Sequence, residues 1–332
     1  MDFDGDGTLD LVSGSYDPGE IYLFRGEGKG RFKARETIKD KSGKPVLRVP
    51  DQKDRVESFG SWLALVDWDN DGDLDLLIGG FDGSMVVRLN EGTRTRPEFA
   101  TDNVPVLIEK EPLKVPHGHA NPVVVDWDGD GRWDIVSGSA DGGVYWYRNV
   151  GPPGAPRFAR AVTLVPPHVG NGYSEFLDAD EEPKPGIRAQ IAVTDYNGDG
   201  RLDILLGDFC SNVVARRDLT PDQRQELTAL RQKMAETEVD LTREQERVEA
   251  QLKEAFKHFT RDDWAKEANQ EKWRKKRQEL YDGPEVKKVS QVYSGQTRQL
   301  RQYLQKPTQP AIGDDRATAH GYVWLYLRKD GQ

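Results

Sequence analysis

The residues best placed to do chemistry are aspartates at fixed spacing. In Asp126-Trp127-Asp128-Gly129-Asp130-Gly131-Arg132-Trp133-Asp134, carboxylates stand at positions 1, 3, 5 and 9 of a nine-residue stretch. The pattern recurs at Asp2, Asp4, Asp6 and Asp10, at Asp67, Asp69, Asp71 and Asp75, and at Asp195, Asn197, Asp199 and Asp203, where one amide replaces a carboxylate. Position 6 is glycine in every copy (Gly7, Gly72, Gly131, Gly200), and position 4 is glycine or asparagine (Gly5, Asn70, Gly129, Gly198). Both residue types accept a positive φ, so the loop can bend twice around one point. Alternating side-chain oxygens plus a backbone carbonyl suit calcium, a hard cation that takes six to eight oxygens. Position 7 holds Thr8, Asp73, Arg132 and Arg201, a mixed set whose common donor is the main-chain carbonyl. Up to four calcium ions are expected, each held by one loop.

The competing calcium loop, the EF-hand, closes its cage with Glu at position 12 and continues as a helix. Position 12 here is Ser13, Ile78, Ser137 or Leu206, and none of these supplies a carboxylate. The Asp at position 9 closes the loop instead. It leads into a short apolar run ending in glycine, such as Leu76-Leu77-Ile78 or Ile135-Val136, which reads as a buried strand. Position 2 is always aromatic (Phe3, Trp68, Trp127, Tyr196), so each loop is expected to pin itself to a core. Four copies in one register argue against an incidental acidic turn.

These loops need strands to hold them, and the chain supplies them periodically. The loops begin 65, 59 and 69 residues apart, a repeat length suited to propeller blades. A strand enters each of the last three loops (Trp62–Val66, Pro122–Val125, Ile191–Thr194), and another leaves every loop. A third, of alternating aromatic and aliphatic residues, follows at Ile21–Arg25, Met85–Leu89 and Val144–Arg148. Asp82-Gly83 and Asp141-Gly142 are hairpin signals between the second and third strands. Phe32, Phe99 and Phe158 are expected to open a weaker fourth strand. Met1 abuts a ligand directly, so the first unit lacks its entering strand and the chain reads as one that started late. With four strands and sequential hairpins per unit, the fold class is mainly β, a β-propeller-like array of four repeats starting near 1, 61, 120 and 189.

The loops and the period resemble FG-GAP (VCBS-type) repeats, the calcium-bearing blades of integrin α-chain propellers and of many exported bacterial proteins. The resemblance covers residues 1 to about 210 and resumes near 321. The Phe-Gly and Gly-Ala-Pro signatures of integrin blades are largely absent, although Phe59-Gly60 precedes the second loop, so integrin-like ligand recognition is not carried over.

The fourth unit is interrupted. Its second strand ends at Gly207-Asp208-Phe209, and its third appears only at Gly321–Arg328. Between them the composition shifts to helix formers. Thr220-Pro221 offers an N-cap with proline at the first helical position. Leu227, Leu230, Met234, Leu241, Val248, Leu252, Ala255 and Phe259 follow the spacing of a coiled-coil seam, with Thr237 and Glu244 as polar breaks. A second helix should start at a Thr260/Asp263 capping box and run to about Tyr281. Asp282-Gly283-Pro284 ends it, and a third helix reaches about Gln305. The expected organisation is propeller repeats over 1–219 and 320–332, an inserted antiparallel α-helical hairpin or coiled-coil stalk over 220–306, and a return linker over 307–319. Trp264 and Trp273 are the anchors by which this stalk would contact another chain.

The bulk numbers narrow the function. Net charge is −10, but the carboxylates at positions 1, 3, 5 and 9 number fifteen, and four divalent ions would bring the total to −2. The acidity is local, and no basic domain offers itself to nucleic acid. One cysteine, Cys210, excludes an internal disulfide framework. No apolar run reaches the 18 residues of a membrane span. His117 and His119 flank Gly118 without a third metal ligand nearby, Cys210 has no evident histidine partner, and Gly26, Gly28 and Gly30 open no helix, so they fail as a phosphate cradle. The expectation is a non-enzymatic, extracytoplasmic adhesion, recognition or assembly module for a protein or glycan ligand, without nucleic acid or membrane span. The alternative is a polysaccharide lyase or hydrolase built on a calcium-bearing propeller.

Overall fold

The structure is a computed structural model that describes residues 1–332 except 18, 50–59, 169–173, 261, 262, 264, 265, 312 and 330–332. Phe59 and Trp264 therefore lie outside the described residues. Among the described residues the protein is mainly β, with several sheets and three α-helices, and forms two compact units. The first comprises Met1–Glu175, Pro183–Ser211 and Ala319–Gln332; the second comprises Phe176–Glu182 and Asn212–Thr318.

The first unit is a series of antiparallel meanders. The first repeat gives three strands, β1 (Leu11–Gly14), β2 (Ile21–Phe24) and β3 (Glu36–Thr37), paired in that order. The second gives four, β4 (Trp62–Val66), β5 (Asp75–Gly79), β6 (Met85–Arg88) and β7 (Val104–Pro105). The third repeats that plan with β8 (Asn121–Val125), β9 (Asp134–Gly138), β10 (Val144–Tyr147) and β11 (Val162–Val165). In the fourth, β12 (Ile187–Thr194) and β14 (Val323–Tyr326) flank the first half of β13 (Asp203–Val214). The fourth strands form later than expected. Phe99 makes isolated bridges to Asn90 and Asp40, and Phe158 to Asn149 and Ile108, their rings filling cores, while Phe32 stands exposed in a small hairpin. The residues that form β3, β7 and β11 follow them in sequence.

The cores lie between successive sheets. Phe3, Ile21, Leu23, Leu76 and Ile78 join the first to the second; Leu77, Val87, Ile135 and Tyr147 join the second to the third; Val136, Val144, Ile204 and Leu206 join the third to the fourth. Strands β5 and β9 are covered on both faces and fully buried along their length, which is why they read as unbroken apolar runs. Strand β1 is half exposed. Among the described residues the sheets do not close a ring.

One glycine recurs at every junction. Gly14, Gly79 and Gly138 end the second strand of their repeats, and a Cβ on them would lie 1.8, 2.2 and 2.2 Å from the carbonyl oxygens of Ser61, Ala120 and Ala189 in the next repeat. Only a hydrogen fits there. Backbone bonds fasten the same junctions: Ala120 N donates to Gly80 O at 3.0 Å and Ala189 N to Ser139 O at 2.9 Å.

The second unit contains α1 (Pro221–Ala255), α2 (Glu267–Tyr281) and α3 (Pro284–Leu300). Thr220 and Gln223 form a reciprocal capping box, with Pro221 at the first helical position. Helix α1 stops at Ala255, short of Phe259, and Ala255 itself is exposed. At about 1.5 Å per residue its 35 residues span roughly 50 Å. The chain then returns along it: Tyr281 Oη donates to Glu249, Gln296 Nε2 to Thr237 Oγ1 at 2.9 Å, and Tyr303 Oη to Glu226 at 2.8 Å. Trp273 is half-buried. It packs with Phe256, Leu280 and Tyr281 against Val248, Leu252 and Val286. The neighbouring cations pair locally, Lys275 with Glu271 and Lys276 with Glu279, while Arg277 lies over the Trp273 and Tyr281 rings.

Candidate metal centres

The four acidic loops fold alike, and the reason is local hydrogen bonding. The aspartate at position 1 accepts the N–H groups of positions 5 and 6, one on each oxygen: Asp126 from Asp130 (3.0 Å) and Gly131 (2.9 Å), Asp195 from Asp199 (3.0 Å) and Gly200 (2.9 Å), and likewise Asp2 and Asp67. Position 5 in turn accepts the N–H of position 7, as Asp6 does from Thr8 at 2.7 Å and Asp71 from Asp73 at 3.0 Å. These bonds wind the loop into a cup. Its two bends fall where expected, with φ of 72, 62, 74 and 75° at position 4 and 86, 96, 84 and 83° at position 6.

Position 9 has a second task that spacing did not reveal. Asp75, Asp134 and Asp203 are completely buried, and Asp10 nearly so. In every copy one carboxylate oxygen accepts the N–H of position 2 (Phe3, Trp68, Trp127, Tyr196). The other accepts a backbone N–H just beyond the third strand: Gly26, Asn90 and Asn149 at 2.7 Å each, and Arg328 at 2.9 Å. The carboxylate thus clips the loop to the end of the neighbouring third strand through charge-assisted bonds.

The cups gather oxygen. Carboxylate oxygens of Asp2, Asp4 and Asp6 lie within 4.8 Å of one another, as do those of Asp67, Asp69 and Asp71, and those of Asp126, Asp128 and Asp134. In the third loop Asp130 is not one of that trio and pairs with Arg132 and Arg148. The fourth loop forms no such carboxylate trio among the described residues, and its Asn197 amide donates to Asp199 at 3.0 Å. Thr8, Arg132 and Arg201 stand at position 7 beside these cups, and the side chains of the two arginines point to their own position-5 aspartates.

Residues 2–48 and 126–206 match the family model of the FG-GAP-like repeat. The protein carries FG-GAP repeats. No curated protein matches the chain. The second loop lies between the two matched stretches, and the hydrogen bonds of its positions 1, 5 and 9 repeat theirs.

The FG-GAP loops differ in how their charge is met. In the first, Arg25 pairs with Asp4. In the third, Arg148 reaches Asp128 at 2.6 Å and Asp130 at 3.0 Å. Desolvation pulls Asp130 upward, but the Arg132 amide and the guanidinium groups of Arg148 and Arg132 outweigh it and hold its carboxyl below the ordinary range. Asp199 is likewise held low by the Arg201 amide, Asn197 and the Arg201 guanidinium. The second loop has five aspartates, and among the described residues only backbone amides answer them, those of the loop and that of Asn90. Burial, followed by the charges of Asp71, Asp69 and Asp67, pushes Asp73 up to about 6. Burial also raises Asp75 to about 6, against the N–H groups of Asn90 and Trp68.

The donor set fits calcium. Hard carboxylate oxygens converge, and two oxygens, Asp4 Oδ1 and Asp73 Oδ1, are buried without a hydrogen-bond partner. Arg25 and Arg148 escaped sequence reasoning, although each directly follows a third strand, one residue before the amide that the position-9 aspartate binds.

The other flagged residues go elsewhere. His119 is buried, its ring 5.5 Å from Trp62 and 4.0 Å from Phe81, while exposed His117 lies 3.4 Å from Asp141, so the two histidines do not converge. Cys210 is buried. Gly26 sits where a Cβ would be 2.1 Å from Leu9 O, a packing constraint that accounts for it without a phosphate.

Proposed function

We propose that this FG-GAP repeat protein is a non-catalytic recognition or adhesion module of propeller type, working outside the cytoplasm, whose loops are braced by calcium. The observation that carries the reading is the repeated cup, with converging carboxylates beside oxygens that are buried and left without partners. Asp2, Asp4, Asp6 and Asp10, Asp67, Asp69, Asp71 and Asp75, Asp126, Asp128, Asp130 and Asp134, and Asp195, Asn197, Asp199 and Asp203 would hold the ions, with the carbonyls of Thr8, Asp73, Arg132 and Arg201. A bound calcium supplies positive charge that neutralises the cluster and ties the loop's ends together. Everything else is done by the chain itself: position 1 shapes the cup, position 9 fastens it to the sheet, and the aromatic at position 2 seats it in the core. Trp68 lies 5.1 Å from Trp133 of the next loop, and both meet Phe158, so firmness in one loop is passed to its neighbour.

FG-GAP repeats are typical of extracellular proteins, where abundant calcium suits loops of modest affinity. No helix among the described residues is long and apolar enough to cross a membrane. The return of the chain along α1 supports reading the helical insertion as an antiparallel stalk. Its partner would be another protein, bound through polar outer faces. The deciding experiment is a thermal melt of the full chain in calcium and in excess chelator, together with elemental analysis of the dialysed protein. A higher melting temperature in calcium and divalent metal in stoichiometric amount are expected; identical melts and a metal-free protein would end the proposal.

A further inference from the structure

We infer that the Asp73 side chain is itself a cation ligand, and that the second loop is consequently the tightest of the four sites. The inference rests on the calcium reading and adds a rank to it. Asp73 stands at position 7, where the other loops carry Thr8, Arg132 and Arg201 and where only the main-chain carbonyl was expected to serve. The residue is 4% exposed, its Oδ1 is buried without a hydrogen-bond partner, and the charges of Asp71, Asp69 and Asp67, the converging trio of the same loop, act on its carboxylate. A carboxylate buried beside three others, with an oxygen left open, is an arrangement a polypeptide tolerates badly unless a cation completes it.

A second comparison within the chain points the same way. The residue just before the amide that clips position 9 is Arg25 in the first repeat and Arg148 in the third, and each puts a guanidinium onto position 3 of its loop. In the second repeat that place is Leu89, packed into the apolar cluster between sheets two and three. In the fourth it is Leu327, but there Arg201 lies 2.6 Å from Asp199. The first, third and fourth loops therefore carry an internal counter-cation that calcium must displace or share. Among the described residues no cationic side chain pairs with the second loop, which has five carboxylates. Affinity in oxygen-ligand sites follows the number of charged ligands, so calcium is expected to fill the second loop first.

The test uses the full chain, freed of metal, titrated with calcium chloride by calorimetry and melted in chelator and in saturating calcium. Asp73→Thr restores the residue of the first loop while keeping the backbone carbonyl. It is expected to weaken the tightest binding step about tenfold or more and leave the weaker steps unchanged. It should also raise the melting temperature in chelator, by removing a repelled charge, and lower it in calcium. Leu89→Arg, which leaves Asp73 in place, should weaken the same step, and Arg148→Leu should strengthen one of the weaker ones. An unaltered tight step in both Asp73→Thr and Leu89→Arg overturns the inference while leaving the calcium reading intact. A wild-type chain that takes up no calcium overturns both.

Discussion

Substituting alanine for glycine at one equivalent position in two repeats tests how the sheets are stacked. At Gly138 a Cβ would stand 2.2 Å from Ala189 O, at least 0.8 Å inside the closest approach real Cβ atoms make. The oxygen belongs to the backbone of the next repeat and cannot swing away, so the sheets must part. Two interstrand bonds beside it, Ala189 N to Ser139 O and Arg188 N to Ala140 O, both 2.9 Å, would stretch with them. Overpacking costs about 1–3 kcal/mol and each weakened bond about 1 kcal/mol, giving about 3–5 kcal/mol for Gly138→Ala. At Gly207 the nearest atom is Gln190 O at 3.6 Å, an ordinary contact. Gly207→Ala should therefore stabilise by about 0.4–1 kcal/mol through the unfolded chain. At about 2–4 °C per kcal/mol, the first variant should lose about 6–20 °C of melting temperature and the second should gain slightly. Melting in saturating calcium supplies the readout, with hydrogen exchange locating the loss in β12. Equal losses in both variants, or none at Gly138, would refute the stacking argument.

Three further outcomes are expected. Asp134→Ala strands the N–H groups of Trp127, Asn149 and the Trp146 indole, which its carboxylate now accepts at 3.3, 2.7 and 2.9 Å, and should cost at least about 3 kcal/mol even in chelator; a loss seen only in calcium would make it a ligand and nothing more. Burial, then the charge of Arg188, holds His119 below its ordinary pKa, so the unfolded chain binds the proton first and stability is lost as pH falls below about 6.5. Melts of wild type and His119→Phe should diverge between pH 7.5 and 5.5, and a constant difference would contradict this. Finally, Arg216 N donates to Tyr303 O and Gln305 N to Val214 O at 2.9 Å each, a ready hairpin base. Replacing residues 217–302 with Asp-Gly should leave the sheet unit folded with its calcium response; insoluble protein would show that the helices support it.

Much of this protein was legible in its sequence because its governing interactions are short in range. The Asp-x-Asp-x-Asp-Gly spacing dictates which amides meet which carboxylates within five residues, and the positive φ at Gly131 or Asn70 follows from the same geometry. The entering and leaving strands, the hairpins at Gly83 and Gly142, and the Thr220 cap are equally local. Composition alone marked the place where the fourth repeat is opened by the insertion.

Tertiary structure decided what depends on neighbours remote in the chain. Residue type cannot say that Gly138 must meet Ala189, that Arg148 rather than Leu89 reaches into a loop, or that Trp273 packs against Val248, Leu252 and Val286. Asp203 shows the contrast most plainly. Its role as the end of a loop is written in nine residues, yet its second oxygen is satisfied by the amide of Arg328, 125 positions away across the helical insertion. Local spacing fixes bonds whose partners share a turn; a contact closed over a hundred residues exists only once the sheets have packed.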